Sequence, residues 1–366
     1  NIMRRLESAF MKIVHVFHQK TYNSNGAAFA FPLYYNRQRL LSLGINLKFF
    51  HKIEQALFEC DALLISQKYF AGPWPDEQYK VLAFLSKVRN SVAQVIWCDI
   101  SDSTGTTSFN VLPYVTKYLK NQILKDRSAY QKYYYGGRLY TDYYYKHFGV
   151  IDERPWESKL HAIPSGEDLK KIQVGWNSGF ENYSLHGEKI ARLRAIVSFP
   201  RWYPKSWQTS SIRKNLISCR IGSDYTRNTV SFHRQQVQTL LADKLPITKI
   251  SRFQYLQEMK NSMAVISPFG FGEITLRDFE IVLCGSVALK PCMNHLETWP
   301  NLWVEGETYL SWKWDYSDLI ELVDSLDSRK KEISTIAENV QTIYRHLLCT
   351  EEGHLEFCTR FIKLLE

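Results

Sequence analysis

The chain has 366 residues, of which 45% are hydrophobic and 23% charged, and its formal net charge at pH 7 is +9. This length suits two domains, and the composition is that of a folded globular protein, which excludes a disordered or fibrous chain. No uninterrupted apolar run reaches about 18 residues, so the sequence predicts neither a membrane span nor a secretion signal. We therefore expect a cytoplasmic protein.

The positive charge leaves three kinds of partner open: nucleic acid, an anionic membrane surface or a phosphate-bearing substrate. The basic residues are spread along the chain and no nucleic-acid-binding motif is found, so we expect no nucleic-acid partner. Peripheral contact with the inner membrane face stays open, as does a basic surface without any partner. Seven scattered cysteines without a CxxC pair are typical of reduced, buried thiols and argue against a structural zinc site.

The first half of the chain alternates between strand-like and helix-like segments. Met11 resembles a natural start, so residues 1–10 are expected to be an extension outside the fold. In chain order, the apolar patterns predict strand 12–18, helix 29–43, strand 45–50, strand 62–66, helix 76–88 and strand 92–99. Such alternation is typical of a parallel sheet covered by helices on both faces.

The pattern weakens in a tyrosine-rich stretch after residue 130 and then resumes. A helix at 187–197 and a proline-containing linker at 196–212 are expected between the two halves. The second half predicts strands at 215–222, 263–269, 286–291 and 308–314 and helices at 229–242, 249–262, 274–285, 316–326 and 328–365.

These segments predict an α/β fold with two Rossmann-like domains that face a cleft. The N-terminal domain would span 11–195 and the C-terminal domain 213–335, with the linker between them. The last helices, 336–366, either stay on the second domain or pack back on the first. In such sheets ligands bind beyond the carboxyl ends of the strands, which places the loops after 92–99 and 263–269 at the cleft.

The most informative segment is SPFGFGEITLRDFEIVLCGSVALKP, residues 267–291. Gly270 and Gly272 let the backbone approach a ligand closely. The helix expected to follow would present free amides and a positive dipole end, which suit a phosphate. Arg277 would then pair with a diphosphate. The alternative is a tight strand-to-helix turn without a ligand.

Two glutamates flank Arg277 on the predicted helix. Glu273, Arg277 and Glu280 are four and three residues apart, so they are expected on one helix face. A carboxylate there would bind the vicinal hydroxyls of a ribose, or it would only form an intrahelical salt bridge with Arg277.

This segment resembles the donor-binding motif of GT-B-fold glycosyltransferases, in particular exostosin-like and bacterial surface-polysaccharide enzymes. The shared pattern is a Ser-Pro-x-Gly-x-Gly loop, then an Arg and a Glu on the next helix, and a Gly beyond it. The matching residues are Ser267, Pro268, Gly270, Gly272, Arg277, Glu280 and Gly285. The resemblance implies a nucleotide-sugar donor site that also includes Phe269 and Glu273. It implies no metal or other cofactor, since GT-B enzymes generally need none.

The resemblance does not fix the stereochemical outcome. The large retaining family with a paired-glutamate motif spaces its two glutamates one residue further apart than Glu273 and Glu280. Retaining chemistry is therefore not carried over, and both outcomes stay open.

A second loop of the C-terminal half, CRIGSDYTRN, follows the first strand of that half. Gly222 would lie near the diphosphate, and Arg220 or Arg227 would neutralise it. Alternatively, both arginines are plain surface charges.

In GT-B enzymes the first half binds the acceptor, and inverting members often place a carboxylate or a histidine there as general base. The loop DISDSTG supplies two candidates: Asp99 ends a strand, and Asp102 projects from the loop beyond it. We prefer Asp102, with His18 at the end of the first strand as the other candidate. Each has a structural alternative, because Asp beside Ser, Thr and Gly commonly caps turns and a loop histidine need have no catalytic task.

Tyrosines cluster at 133–135 and 143–145, and they would either stack on the C–H faces of a sugar or fill the core. A D-x-D triplet, with which the other main glycosyltransferase fold usually holds its metal, is missing from the sequence. The P-loop pattern is missing as well, which excludes that class of NTPase.

The leading hypothesis is a metal-independent glycosyltransferase of hexosyl or related type. It would move a sugar from a nucleoside-diphosphate or nucleoside-monophosphate sugar to a glycan or lipid-linked glycan in surface polysaccharide or lipopolysaccharide synthesis. The alternative is a non-catalytic nucleic-acid- or glycan-binding protein. A Rossmann oxidoreductase does not fit, because its glycine fingerprint belongs after the first strand.

Overall fold

A computed structural model describes residues 11–20, 24–72, 74, 76–153, 162–180 and 213–366. Within these residues the chain forms two parallel sheets and a short antiparallel ladder. The predicted α/β fold with two Rossmann-like units is confirmed. The predicted extension at 1–10, the helix at 187–197 and the linker at 196–212 lie outside the described residues, and the predicted domain boundaries stay a prediction.

The first sheet has six parallel strands among the described residues, in the order β2-β1-β3-β4-β5-β7. The strands of this half are β1 (Lys12–Phe17), β2 (Ile45–Phe50), β3 (Ala62–Ser66), β4 (Gln94–Asp99), β5 (Lys117–Lys120), β6 (Gln122–Leu124) and β7 (Ile172–Val174). The four long apolar strands match the predictions. Sequence reasoning missed β5 and β7, because strands of four and three residues have too few positions to show a period.

The helices of the first half are α1 (Ser24–Tyr35), α2 (Arg37–Ser42), α3 (Gln78–Ser91), α4 (Leu139–Phe148) and α5 (Gly166–Lys171). The predicted single helix at 29–43 was wrong in its bounds. It begins at Ser24 and is interrupted at Asn36, whose side-chain amide donates to the carbonyl oxygen of Pro32 at 2.9 Å. This local hydrogen bond competes with helix continuation.

The second sheet has the strand order β12-β10-β9-β8. Its strands are β8 (Asn215–Ser218), β9 (Ser262–Ile266), β10 (Val287–Pro291) and β12 (Leu310–Trp312). Its helices are α6 (Asn228–Leu241), α7 (Arg252–Lys260), α8 (Leu276–Leu283) and α9 (Leu319–Ser325). Each corresponds to a predicted element, and α8 ends before Gly285, which has a φ of +73° as expected of a glycine helix stop.

A two-stranded antiparallel ladder joins the two halves. Strand β11 (Leu296–Thr298) pairs with β6 of the first half, so that Thr298 lies opposite Gln122. One hydrophobic cluster also continues from the first sheet into the second, from Val14 to Leu289. The halves are therefore packed as one body around their junction.

The last two helices divide between the two halves. Helices α10 (Lys330–Cys349) and α11 (Glu351–Leu364) replace the predicted single helix, because Thr350 caps α11 by accepting from the amide of Gly353 at 3.0 Å. Helix α11 packs Phe357 and Phe361 edge-on against Trp176, which follows β7. Helix α10 instead packs on the second half, against β9, β10 and α8, where Gln341 donates to the carbonyl oxygen of Val282 at 2.9 Å.

Within the described part of the chain, none of the helices combines the length and apolar character that crossing a membrane requires. All seven cysteines are free thiols, and four of them are buried.

Candidate active site at the junction of the two halves

Two loops meet where the halves face each other. The β4 loop (100–105) follows β4 of the first sheet, and the β9 loop (267–275) follows β9 of the second. A Cβ added to Gly272 would lie 1.7 Å from the carbonyl oxygen of Asp102, so position 272 tolerates only glycine at this approach. The carboxyl ends of both sheets therefore face the same junction, where ligands of such sheets bind.

Glu273 crosses this junction. Helix α8 begins at Leu276, later than the predicted 274, so Glu273 lies in the β9 loop and the expectation that it shares a helix face with Arg277 was wrong. Its carboxylate is fully buried and accepts from the hydroxyl of Thr104 at 2.6 Å and from the amide of Thr104 at 3.2 Å. The hydroxyl of Ser103 donates to it at 3.3 Å. In this conformation Glu273 ties the β9 loop to the β4 loop.

We expect Glu273 to make the stability pH-dependent. Burial alone would raise the pKa of Glu273, but His295, whose Nε2 lies 3.6 Å from Oε1, and the bond from Thr104 outweigh it and lower this pKa to about 2. Since the ordinary value is 4.5, the carboxylate stabilises the fold above that pH, and the contribution is lost as pH falls toward 2. The shift corresponds to roughly 3 kcal/mol.

Glu273→Gln should therefore be less stable than the wild type at pH 7, by up to that amount, with the difference shrinking toward pH 2. Urea unfolding at a series of pH values measures it. Glu332→Gln, which removes an exposed carboxylate paired with Arg329, is the control and should change little. A stability difference that stays constant from pH 7 to pH 3 would contradict the expected linkage.

Arg277 occupies the first turn of α8. Its guanidinium carbon lies 5.3 Å from the ring centroid of Tyr255, and its buried Nη1 has no hydrogen-bond partner within the described part of the chain. A cation at a helix N-terminus is electrostatically unfavourable unless an anion neutralises it. Its position and its unused donor both suit an anionic ligand at the β9 loop.

Glu280 does not pair with Arg277 as the structural alternative expected. Its carboxylate is 4% exposed and bonds Arg252 Nη2 on α7 at 2.5 Å. Burial raises the pKa of Glu280, against the opposing charges of Arg252 and Arg277. Arg252 is the more exposed member of this pair.

The β9 loop is held by groups that sequence reasoning missed. The hydroxyl of Tyr140, on α4, donates to the carbonyl oxygen of Gly270 at 2.9 Å. The amide of Phe269 donates to Nε2 of buried His233 at 3.2 Å. Since Nε2 accepts, Nδ1 carries the hydrogen, and it faces the hydroxyl of Tyr144 at 2.8 Å. Burial keeps the pKa of His233 well below its ordinary value, which maintains this neutral form.

Arg234 on α6 links the two loops of the second half. It is 4% exposed, and its Nη1 donates to the carbonyl oxygens of Phe269 at 2.9 Å and Pro268 at 3.3 Å. Its Nε donates to the carbonyl oxygen of Gly222. In the sequence, Arg234 is a single arginine inside an amphipathic helix. This pattern does not distinguish a buried arginine from one at the surface.

The remaining residues that were predicted to bind the donor differ in their solvent exposure. Ser267 and Phe269 are fully buried, whereas Gly222 is exposed. Arg220 bonds both carboxylate oxygens of Glu258 through Nε at 3.0 Å. Arg227 is 9% exposed, donates to the carbonyl oxygen of Gly136 at 3.3 Å, and has a pKa lowered to about 10 by burial and by Arg138.

Of the three candidate bases, only Asp102 has an exposed side chain. Asn25 Nδ2 donates to its Oδ1 at 2.6 Å, and the side-chain amide of Gln122 donates to its carbonyl oxygen. These two contacts orient the β4 loop, and the backbone carbonyl and Cβ of Asp102 lie beside Gly272 at the junction.

Asp99 and His18 are buried. The Asp99 carboxylate is 3.3 Å from Lys120 Nζ and accepts from the amide of Ser101 at 2.9 Å. Burial would raise the pKa of Asp99, but Lys120 and these hydrogen bonds lower it. For His18, burial and the neighbouring His51 lower the pKa to about 4, and its ring nitrogens contact Gln19 and Tyr34. These surroundings favour the structural alternatives, in which Asp99 caps a turn and His18 has no catalytic task.

The predicted tyrosine clusters divide between core and surface. Tyr144 is fully buried, whereas Tyr133 is 63% exposed. Tyr130, Tyr133 and Tyr134 line a small pocket behind Thr104 and Gly105 of the β4 loop. Among the residues that the structure describes, no group of three His, Cys, Asp or Glu side chains is placed to hold a metal ion.

Two parallel sheets whose carboxyl ends meet at one junction, with a last helix returning to the first sheet, form the GT-B architecture that the resemblance implies. No family model and no curated protein matches the chain. Among solved structures, the Anabaena protein HepE in complex with UDP-glucose is 11% identical, with a TM-score of 0.47, and the match covers 97% of this chain and 99% of that one. A glycosyltransferase from Rickettsia africae is 10% identical, with a TM-score of 0.43 and coverage of 98% and 99%. An alpha-glucosyltransferase in complex with UDP-glucose and DNA containing an abasic site is 9% identical, with a TM-score of 0.43 and coverage of 97% and 100%. The two sheets themselves define the architecture, since the identities are 9% to 11%.

Proposed function

We propose that this chain is a nucleotide-sugar-dependent glycosyltransferase. The observation that carries the proposal is Arg277, a cation in the first turn of α8 whose buried Nη1 has no hydrogen-bond partner among the residues that the structure describes. It follows a glycine-containing loop that touches the β4 loop with its exposed Asp102. Two loops thus meet at the junction, with the candidate base Asp102 in one and the anion-binding Arg277 directly after the other.

In the proposed reaction the acceptor hydroxyl oxygen attacks the anomeric carbon of the donor sugar. The bond from that carbon to the phosphate oxygen breaks, and its electron pair leaves with the nucleotide. Arg277 and the amides at the start of α8 stabilise the charge that develops on the leaving phosphate. The carboxylate of Asp102 accepts the hydroxyl proton. This direct displacement inverts the anomeric centre and needs no metal.

We propose a glycan or lipid-linked glycan as acceptor, in surface polysaccharide or lipopolysaccharide synthesis. The support is the tyrosine-lined pocket next to Thr104 and Gly105, since aromatic faces suit sugar C–H groups. The net charge of +9 would favour peripheral contact with the anionic inner face of a membrane from the cytoplasm.

Calorimetry with UDP, GDP, CDP, CMP and dTDP, alone and as sugar conjugates, tests the donor site. We expect one nucleotide to bind well above the others and its sugar conjugate to lose the sugar slowly to water or to an added glycan. Binding without any turnover across a panel of acceptors would favour the non-catalytic alternative. If none of the nucleotides binds, the proposed function is wrong.

A further inference from the structure

Both ends of the β9 loop are held by one carboxylate. The hydroxyl of Ser267, which follows β9, donates to Asp278 Oδ1 at 2.6 Å. The amide of Thr275, which precedes α8, donates to Asp278 Oδ2 at 2.7 Å. Because Asp278 is fully buried, these bonds are shielded from water.

Lys290 of β10 completes the arrangement. Its Nζ donates to Asp278 Oδ1 at 2.8 Å, to Asp278 Oδ2 at 2.9 Å and to the carbonyl oxygen of Ser267 at 3.2 Å. Lys290 is also fully buried, with its ammonium 5.8 Å from the ring centroid of Phe269 and 5.9 Å from that of Trp303. The ion pair is therefore shielded from solvent, and the Lys290 ammonium donates three hydrogen bonds.

Fold stability alone does not explain such a pair. Removing two charges from water costs several kcal/mol per ion, and replacing a buried pair by apolar residues of similar volume is often neutral or stabilising. A binding site, however, requires backbone amides held to a fraction of an ångström.

We propose that Asp278 and Lys290 are positioning residues that hold the β9 loop in the shape that binds the donor phosphates. This inference rests on the proposed function, and neither side chain needs to touch the substrate.

The first half contains a similar pair under the β4 loop. Lys120 lies 3.3 Å from Asp99 and donates to the carbonyl oxygen of Ser101 at 3.3 Å, as Lys290 does to Ser267. Both pairs are fully buried at the start of a loop that reaches the junction. A buried Asp–Lys ion pair thus supports each of the two facing loops.

The test is the double variant Asp278→Leu/Lys290→Met, which replaces the pair by apolar groups instead of leaving one charge buried. We expect a folded protein in which amide hydrogen exchange across 268–274 is about ten-fold faster or more. The Kd of the nucleoside diphosphate selected by calorimetry should rise by about ten-fold or more, since the loss of one hydrogen bond to a charged phosphate weakens binding by about that factor.

Gln341→Met is the control. Gln341 is 3% exposed and donates to the carbonyl oxygen of Val282 at the far end of α8, so its loss disturbs the helix without touching the loop. It should leave exchange in the loop and the Kd unchanged. Should the double variant not fold, Ser267→Ala removes one loop contact alone and should speed exchange at that end, with Ser267→Thr restoring it.

Wild-type loop exchange and a wild-type Kd in the double variant would overturn the inference while the proposed function stood. Absence of nucleotide binding by the wild type would instead overturn the proposed function, and the exchange measurement would still decide whether the pair holds the loop.

Discussion

Asp102→Asn should lower kcat by a factor of about 10² to 10⁴, the usual range for the loss of a general base. Asparagine keeps the size of the side chain and an oxygen that accepts from Asn25, but it does not take up the acceptor proton. Because the Asp102 side chain is exposed, the unfolding free energy should stay within about 0.5 kcal/mol of the wild type. Steady-state kinetics with the selected donor, together with calorimetry, should show a lower kcat with an unchanged donor Kd.

Asp99→Asn provides the contrast within the same loop region. Its carboxylate is buried and lies 3.3 Å from Lys120, so the variant leaves a buried ammonium without its counter-charge. Breaking such a pair typically destabilises a protein by about 3 to 5 kcal/mol. The unfolding free energy should therefore separate the two substitutions, because Asp99→Asn should lower it by that amount whereas Asp102→Asn should lower kcat with little change in stability. An Asp102→Asn enzyme that keeps most of its kcat would remove Asp102 as the base.

The sequence was informative where local patterns decide the structure. Strands β4 and β9 are apolar runs that end in polar, glycine-containing loops, and both loops are at the junction as predicted. Gly285 ends α8 with a positive φ, which a local rule also predicts. Local patterns therefore predict the position of both loops at the junction, whereas the binding roles of their residues stay a prediction.

The contacts that shape the site depend on residues far apart in the chain. Glu273 has the spacing of a helix-face carboxylate, yet it bonds Thr104, which lies 169 positions away. The ladder between β6 and β11 has three residues on each side, too few for a strand pattern. Tyr140 is one tyrosine in a tyrosine-rich stretch, and only the packing of α4 against the β9 loop assigns it to Gly270. Secondary-structure propensity is a local property, so it contains no information about contacts between residues far apart in the chain.

Arg277→Met should weaken binding of the preferred nucleoside diphosphate by about 10- to 100-fold, because hydrogen bonds to charged groups contribute about 1.5 to 3 kcal/mol. Methionine keeps an apolar contact with Tyr255 but has no charge and no donor. The unliganded variant should be as stable as the wild type or more stable, because it loses a cation at a helix N-terminus and a buried donor that has no partner among the described residues. Calorimetry gives the affinity, and thermal unfolding without ligand gives the stability.

Arg213→Met is the matched control at the opposite end of the same helix. Arg213 Nη2 donates to the carbonyl oxygens of Cys284 at 2.9 Å and Gly285 at 2.8 Å, where a cation is favourable. Its loss should lower the stability and leave nucleotide affinity unchanged, the reverse of the result at Arg277. This opposition distinguishes an arginine kept for a ligand from one kept for the fold. If Arg277→Met instead destabilised the unliganded protein and bound nucleotide normally, Arg277 would be structural and the proposed donor site would lose its anion-binding group.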